Sequence, residues 1–407
     1  MTDYTDIAAR IPQRQAGVSR LQFILALCLL DALSPALITI RYFGPNLVFL
    51  VNIFFLLMVC GIAATIRAQT KFPVVAVLAV LVFLAISVAK MFLLTTAGDY
   101  NQTTESAAKY FLSFMMPMVC FMGVYSLPED DPEVIERALV DFARRYLYMV
   151  VPFVLFYAAL NFSGRISYFG LGVNFHYVTP FFLRGAVPVV GFVILILLTG
   201  KRAVLLNFLI QTLVSFSRYL VLRPVHVMVG LATLVIISYA FQDNLLFLLR
   251  RFRLMYEVFL TLDLSQGLFS ISNSWEALVL FGGRLEELTG ILLYFEQHPG
   301  QIWFGAPPGA NYIWSVESSD LLEFKNYSHF TWAGYTFRYG IVLTSALIVF
   351  LVTLLVRTAN RSSGLWLVLL GILTSSFFGA NMIVSPTTWV MIALATRYGR
   401  RLAQMDR

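Results

Sequence analysis

Apolar runs of about twenty residues, the length that crosses a bilayer as a helix, recur along almost the whole chain. Hydrophobic residues make up 59% of its 407 residues and charged residues only 13%. A water-soluble domain of this size cannot bury that much apolar surface. The runs are continuous rather than alternating, which argues against a β-barrel. The sequence therefore predicts an all-α polytopic membrane protein.

The apolar runs and the basic residues between them predict about twelve transmembrane helices (11–12) with both termini in the cytoplasm. Basic residues concentrate in the segments that this topology places inside, and both ends inside require an even number of crossings. Eleven runs are clear, and the aromatic-rich segment 166–183 supplies the twelfth. The clear runs lie near 21–40, 46–66, 72–96, 107–127, 146–163, 185–200, 203–220, 224–241, 332–356, 364–380 and 386–398.

This topology divides the chain into five regions. Basic residues in the cytoplasmic segments explain the net charge of +7, so the charge does not call for a nucleic-acid partner. The three cysteines lie inside apolar runs, and no histidine pair has metal-ligand spacing on one helix face, so we expect neither disulfides nor a metal site. The regions are a cytoplasmic tail, 1–20; transmembrane helices one to nine, 21–241; an external loop with amphipathic helices, 242–331; helices ten to twelve, 332–398; and a cytoplasmic tail, 399–407.

Several basic residues fall on the external side, against the general trend. They include Lys201 and Arg202 between two spans, Arg284 in the loop and Arg338 at the start of the tenth span. Cations at the outer membrane surface can hold an anionic ligand. The alternatives are an interfacial turn for Lys201 and Arg202 and an ion pair with Glu287 for Arg284.

A histidine lies among aromatic residues where the polar loop meets the tenth span. The stretch LLEFKNYSHFTWAGYTFRYGIV, 321–342, contains His329 and Tyr335. His329 either anchors the chain at the membrane interface or takes part in catalysis. An imidazole suits catalysis because it titrates near neutrality. Tyr335 can stack on a sugar ring, although the aromatic belt of a membrane protein explains it as well.

Three stretches occur in an order typical of one group of membrane enzymes. They are LLTGKRAVLL, 197–206; GGRLEELTGILLYFEQHPGQIWFGAPPG, 282–309; and the interval of eleven residues from His329 to Gly340. Together they resemble the bacterial O-antigen ligase/polymerase superfamily, which comprises multi-spanning glycosyltransferases with one large external loop near the C-terminal end. Arg202 and Arg284 match the arginines of the family.

The chain also departs from the family pattern at four positions. Lys201 replaces a serine, and Leu288 stands where a tryptophan is common. Phe330 replaces an asparagine after the histidine, and Arg338 stands where an acidic residue is common. These departures leave the subfamily open.

The resemblance implies transfer of an oligosaccharide from a polyprenyl diphosphate donor to a glycan acceptor at the periplasmic face of the bacterial inner membrane. It implies that Arg202 and Arg284 hold the diphosphate. From its external placement we expect Lys201 to help bind this anion, and we expect Arg338 to bind another phosphate oxygen or to pair with a carboxylate. We expect His329 to activate the acceptor hydroxyl. No cofactor or metal is implied. Expected partners are membrane lipids and, in the same pathway, a flippase and a chain-length regulator.

Other functions remain open at the level of sequence. A ligase would use lipid A core as acceptor, whereas a polymerase would use another lipid-linked glycan; the modest loop favours the polymerase. A transporter or flippase of lipid-linked or anionic solutes would show repeats and broken midplane helices. A membrane O-acyltransferase would place a histidine deep in an apolar run, where His226 is the candidate. A non-catalytic bundle would leave the external arginines unexplained.

Overall fold

The described part of the chain is mostly helical. In the computed structural model, helices account for 90% of the described residues, which confirms the predicted helical class. The twelve-span arrangement and the domain boundaries remain predictions. The structure describes residues 20–31, 74–93, 104–125, 127, 132–162, 174–182, 186–199, 202–222, 284–315, 322–325, 330–358, 364–378 and 385–405.

We label the α-helices and strands of these residues in chain order. Two 3-10 turns, Phe175–Tyr177 and Pro299–Ile302, accompany them. The elements are α1, 20–31; α2, Val74–Leu93; α3, Thr104–Tyr125; α4, Pro132–Phe162; α5, Thr179–Phe182; α6, Ala186–Thr199; α7, Arg202–Leu222; α8, Arg284–Gln297; β1, Tyr312–Ser315; β2, Leu322–Lys325; α9, Thr331–Arg357; α10, Gly364–Phe378; and α11, Pro386–Met405.

Helix α4 extends well beyond the apolar run that predicted it. The run begins near residue 146, whereas the helix begins at Pro132. The added turns are amphipathic: Ile135, Leu139 and Phe142 are buried, while Arg144 is exposed. One apolar stripe is enough to hold a helix on its neighbours. A search for continuous apolar runs therefore underestimates the length of such a helix.

The predicted span at 166–183 is described from Asn174 onward, where the backbone is irregular. A 3-10 turn, Phe175–Tyr177, leads into the four-residue helix α5. Neighbouring side chains bond this backbone: Tyr146 accepts from the N–H of Asn174 at 3.0 Å, and Gln211 donates to the carbonyl of His176 at 3.1 Å. Irregular backbone is tolerated away from water when the surrounding helices satisfy it in this way.

Buried residues form a large core between the helices and a smaller apolar cluster at the loop. The core draws on α1 to α4, α6, α7 and α9 to α11. The smaller cluster joins α8 and β1 to the beginning of α9. Strands β1 and β2 pair antiparallel, with Tyr312 opposite Lys325 and Ser315 opposite Leu322. The loop segment is therefore anchored on one end of one helix.

Helix α9 is the described helix that is long and apolar enough to cross a membrane. Its 27 residues exceed the roughly twenty that a bilayer requires. Shorter apolar helical stretches are 81–90, 110–125, 204–215 and 364–377.

Candidate functional site

Helix α9 is interrupted at Gly340, nine residues after its first residue. Gly340 has φ 80° and ψ 169°, far from helical values. A regular helix would bond the carbonyls of Phe337 and Arg338 to the N–H groups four residues on. At the break these groups find other partners. The carbonyl of Phe337 accepts from Ala306 at 2.7 Å, and Val342 donates to Trp303 at 3.3 Å.

The turn at 303–306 fits into this break because two glycines allow the backbones to meet. Gly305 has φ 83° and Gly340 has φ 80°, a region that side chains rarely adopt. A Cβ atom on Gly340 would overlap the carbonyl of Trp303, and one on Gly305 would overlap the carbonyl of Arg338. The loop and the helix are therefore joined by backbone contact.

An apolar cluster extends this junction to α8. Ile291 and Phe295 of α8 are buried with Tyr312 of β1 and Phe337 of α9. The ring of Phe337 lies edge-on to Tyr312, with centroids 5.2 Å apart. Gly290 packs directly against the backbone of Ile313. This packing fixes the helix that begins at Arg284 against the part of α9 that follows Phe330.

Arg284 is the first residue of α8 and is partly buried. Burial lowers the pKa of its guanidinium, and the negative charge of Glu287 opposes this shift. The adjacent Glu286 is 8% exposed, and burial raises the pKa of its carboxyl group. A partly desolvated guanidinium interacts strongly with an anion, because less water screens its charge. Glu287 thus acts electrostatically on Arg284, and the ion pair between them remains a prediction.

Arg338 points into the helix bundle. It is 8% exposed, and its Nη1 donates a hydrogen bond of 2.7 Å to Ser113 Oγ on α3. Its carbonyl, released by the break at Gly340, accepts from Lys90 Nζ of α2 at 3.2 Å. The same ammonium group donates to Tyr110 Oη at 3.2 Å. Two cations on different helices therefore share one buried polar cluster.

Tyr335 belongs to the same region. It is buried, and its ring lies edge-on to that of Tyr339 with centroids 5.0 Å apart. Tyr339 in turn donates to the carbonyl of Tyr110 at 2.9 Å. A ligand that contacts Tyr335 would therefore bind beside the buried side chains of Tyr339 and Tyr110, and not at an exposed aromatic belt. Its predicted contact with sugar remains a prediction.

Three predicted site residues have no described side chain. His329 and Lys201 lie outside the described residues, and Arg202 is described only as the first residue of α7. His329 directly precedes Phe330, which is the N-cap of α9. Their roles as general base and phosphate ligands remain predictions.

Lys90 is the residue that sequence reasoning undervalued. A lysine near the end of a predicted span is expected to snorkel toward the head groups. In the structure Lys90 is 4% exposed and contacts Tyr110 and Arg338. The sequence offered one hint, since Ser87 lies one helical turn before Lys90 and adds a hydroxyl to the same face. The contact with Arg338 spans 248 positions and has no local signature.

Within the described ranges, no group of three or more His, Cys, Asp or Glu side chains is arranged to hold a metal ion. The absence of a metal site in the whole chain remains an expectation. The arrangement offers cations and hydroxyl donors, which suit an oxyanion ligand.

The motifs described above are the basis of the family resemblance, because comparison with known proteins adds no match. The chain matches no protein-family model and no curated protein. Two of the three motif stretches, 282–309 and the one that contains Gly340, meet through Gly305 and Gly340.

Proposed function

We propose that this chain is a membrane glycosyltransferase that polymerises or transfers polyprenyl-diphosphate-linked oligosaccharides in the biosynthesis of a bacterial surface polysaccharide. One observation carries the proposal: the loop segment that begins at Arg284 and the helix that follows His329 pack against each other at Gly305 and Gly340, and hydrogen bonds from Ala306 and Val342 join them. Each glycine belongs to a different motif of the family resemblance. Their contact is a reason to treat the two motifs as one functional unit.

Exposed apolar side chains support the location in a membrane. After the break at Gly340, α9 exposes Val342, Val349 and Val356 by 51%, 63% and 68%. Leu81 of α2 and Leu213 of α7 are exposed by 58% and 60%. The three valines recur every seven residues and so lie on one face of α9. An exposed apolar face of this kind is rare on soluble proteins and is normal where helices face lipid.

The proposed reaction is a displacement at the anomeric carbon of the donor sugar. The bond from this carbon to the diphosphate oxygen breaks, and the lipid diphosphate leaves with the electron pair. The acceptor hydroxyl oxygen forms the new glycosidic bond, and its proton passes to His329, whose imidazole suits this role near neutral pH. Charge develops on the leaving diphosphate, so cations beside it stabilise the transition state more than the ground state.

Arg284 is the described residue best suited to the leaving group. A guanidinium can bind two phosphate oxygens through parallel hydrogen bonds. Its partial burial strengthens such an interaction, and Glu287 lies close enough to interact with it electrostatically. We assign Arg202 the same role on the preceding motif.

A transporter fits the break in α9 less well. Discontinuous helices of transporters unwind near the bilayer midplane, where the substrate binds. The break at Gly340 lies nine residues from the start of α9 and is filled by the loop turn that contains Gly305. It joins the loop to the bundle and leaves the following seventeen residues of α9 as one uninterrupted helix.

Deletion of the gene in its host, followed by gel analysis of surface glycans, tests the proposal. Loss of long chains with single-repeat product retained indicates a polymerase. Loss of all glycan on the lipid A core indicates a ligase. Normal polysaccharide in the deletion strain contradicts both activities.

Complementation with point variants tests the site. We expect Arg284→Ala and His329→Ala to lower product by about 100-fold or more, the usual loss when one group that stabilises a transition state is removed. Arg144→Gln, which removes an exposed charge on α4, provides the matched control. Full rescue by both variants at equal expression would refute the assignment of these residues.

A further inference from the structure

Lys90 is a buried ammonium group whose recorded partners are all neutral. Its Nζ donates to Tyr110 Oη and to the carbonyl of Arg338, each at 3.2 Å, and lies 5.4 Å from the ring centroid of Tyr110. Among the described residues, no carboxylate is bonded to it. An ammonium group has three donors, so one N–H remains for another acceptor.

The surroundings of Lys90 are rich in donors. Ser87 Oγ lies 3.3 Å from Tyr110 Oη, and Arg338 Nη1 donates to Ser113 Oγ. The side chains that meet here are thus ammonium, guanidinium and hydroxyl groups, all of which can donate to an oxyanion. Burying the ammonium group of Lys90 among neutral partners is costly unless an anion compensates its charge. The cluster therefore has the chemistry of a binding site for an anion with several oxygens.

We propose that Lys90 and Arg338 form a phosphate-binding site inside the bundle, which takes one phosphate group of the polyprenyl diphosphate donor. This inference rests on the proposed function for the identity of the ligand. Lys90 belongs to α2 and Arg338 to α9, so the site would join two helices that are distant in sequence. The predicted topology places the C-terminal end of α2 and the N-terminal end of α9 on the same outer side of the membrane.

The contacts now made by the two cations can be exchanged for contacts with phosphate. In the structure the cluster is closed, since Lys90 and Arg338 are 4% and 8% exposed. A hydrogen bond between a cation and a phosphate oxygen is roughly twice as strong as one between neutral groups, and it also exceeds one to a neutral hydroxyl. A phosphate group can thus displace Ser113 from Arg338 and occupy the third donor of Lys90.

The position of the cluster also explains why binding there would matter. The carbonyl that Lys90 holds is the one released by the break at Gly340, and the loop turn at Gly305 packs against that same carbonyl. A ligand on Lys90 would consequently contact the junction that connects the bundle to the loop carrying Arg284. One phosphate at Lys90 and Arg338 leaves the other, which is bonded to the sugar, for the arginines of the loop motifs.

Binding of a short-chain polyprenyl diphosphate to the purified protein in lipid nanodiscs tests this site. Lys90→Gln is the main variant, because glutamine keeps a donor for the Arg338 carbonyl and removes the charge. We expect its dissociation constant to rise about tenfold to 100-fold, the loss of one charged hydrogen bond. Lys90→Arg should stay within tenfold of the natural protein, and Arg144→Gln should be unchanged. Lys90→Met provides a second variant without charge, in case the glutamine variant is poorly folded.

The nanodisc composition separates the donor from membrane phospholipid as the source of the phosphate. Discs with and without phosphatidylglycerol are compared, and we expect the effect of Lys90→Gln on diphosphate binding in both. If the variant instead changes only phosphatidylglycerol binding, the site takes a lipid head group and the assignment to the donor is wrong. Equal diphosphate affinity in Lys90→Gln and the natural protein would leave Lys90 a structural residue.

The outcome is distinct from that of the glycan experiment. Normal polysaccharide in the deletion strain, together with weakened diphosphate binding by Lys90→Gln, would refute the proposed function and leave the phosphate site intact. Loss of polysaccharide on deletion, together with unchanged binding by Lys90→Gln and by Lys90→Met, would refute the phosphate site alone.

Discussion

Two buried polar clusters in this molecule differ in the partners that the chain supplies to their charged groups. At one, Asp31 of α1 accepts three hydrogen bonds through Oδ2: from Ser385 Oγ at 2.6 Å, from Thr387 Oγ1 at 2.6 Å and from the Thr387 backbone N–H at 3.1 Å. At the other, Lys90 donates to Tyr110 Oη and to the carbonyl of Arg338, and the Arg338 guanidinium donates to Ser113 Oγ. The first cluster supplies an anion with matching donors from within the chain. The second lacks a bonded anion for Lys90 among the described residues.

The difference separates a structural charge from a candidate binding site. Asp31 lies at the N-terminus of α11, where unpaired N–H groups and the helix dipole favour a negative charge. The pairing of α1 with α11 accounts for Asp31 without any ligand, which favours a structural role. Lys90 has no comparable explanation. A buried charge that the fold itself does not compensate is the more informative indication of function.

Replacement of Asp31 has the largest expected effect on folding. Asp31→Ala removes the acceptor of three hydrogen bonds from Ser385 and Thr387 in a buried setting. At about 1–3 kcal/mol for each unfilled donor, it should lower the free energy of unfolding by about 3–5 kcal/mol. Thermal unfolding of purified protein in detergent measures the change. Asp31→Asn, which keeps one acceptor, should lose less. An unchanged free energy of unfolding in Asp31→Ala would show that the cluster at α11 is not a structural anchor.

The backbone junction at Gly340 is the next most sensitive point. Gly340→Ala places a side chain at positive φ and against the Trp303 carbonyl, so we expect a loss of roughly 2–3 kcal/mol from strain and displacement of the loop. The matched control is Gly300→Ala, because a Cβ atom added at Gly300 would have no neighbour within 4 Å. Limited proteolysis of the loop measures its release. Equal protease resistance in the two variants would refute the junction.

The sequence predicts the elements whose formation depends on local apolar length. The run at 332–356 agrees with α9, Thr331–Arg357, to within one residue at each end, because about twenty apolar residues specify a helix by themselves. The eleven-residue interval from His329 also singled out Gly340. That Gly340 breaks the helix is less accessible, since the break depends on Gly305 from a distant turn.

Contacts between distant segments limited the prediction of the site. The sequence places Arg338 at the start of a span, and its bond to Ser113 shows that its side chain faces the bundle. A lysine near the end of a span normally extends to the surface, so the sequence around Lys90 does not predict its burial. Its burial depends on Tyr110 and on the carbonyl released at Gly340. Neither contact follows from residues near Lys90.

A smaller effect is expected at the edge of the Asp31 cluster. Tyr177 Oη lies 2.6 Å from Thr388 Oγ1 and donates to Ser385 Oγ at 3.3 Å. Tyr177→Phe removes these bonds and keeps the ring, so the free energy of unfolding should fall by about 1 kcal/mol. Thermal unfolding measured beside Asp31→Ala gives the comparison. A loss as large as that of Asp31→Ala would show that Tyr177, and not the carboxylate, holds this cluster together.

The smallest expected effect on stability, at Lys90, provides the sharpest test of the comparison. Methionine has nearly the volume of lysine and brings no charge, so it removes the cost of burying an ammonium group without a bonded anion. Lys90→Met should therefore change the free energy of unfolding by less than about 1 kcal/mol, because the bonds it loses are to neutral partners and the burial of a charge is relieved. Thermal unfolding without ligand measures this, with Asp31→Ala as the contrasting variant. A loss of several kcal/mol would mean that Lys90 is a structural anchor like Asp31, and the charge of the cluster would then need no ligand to explain it.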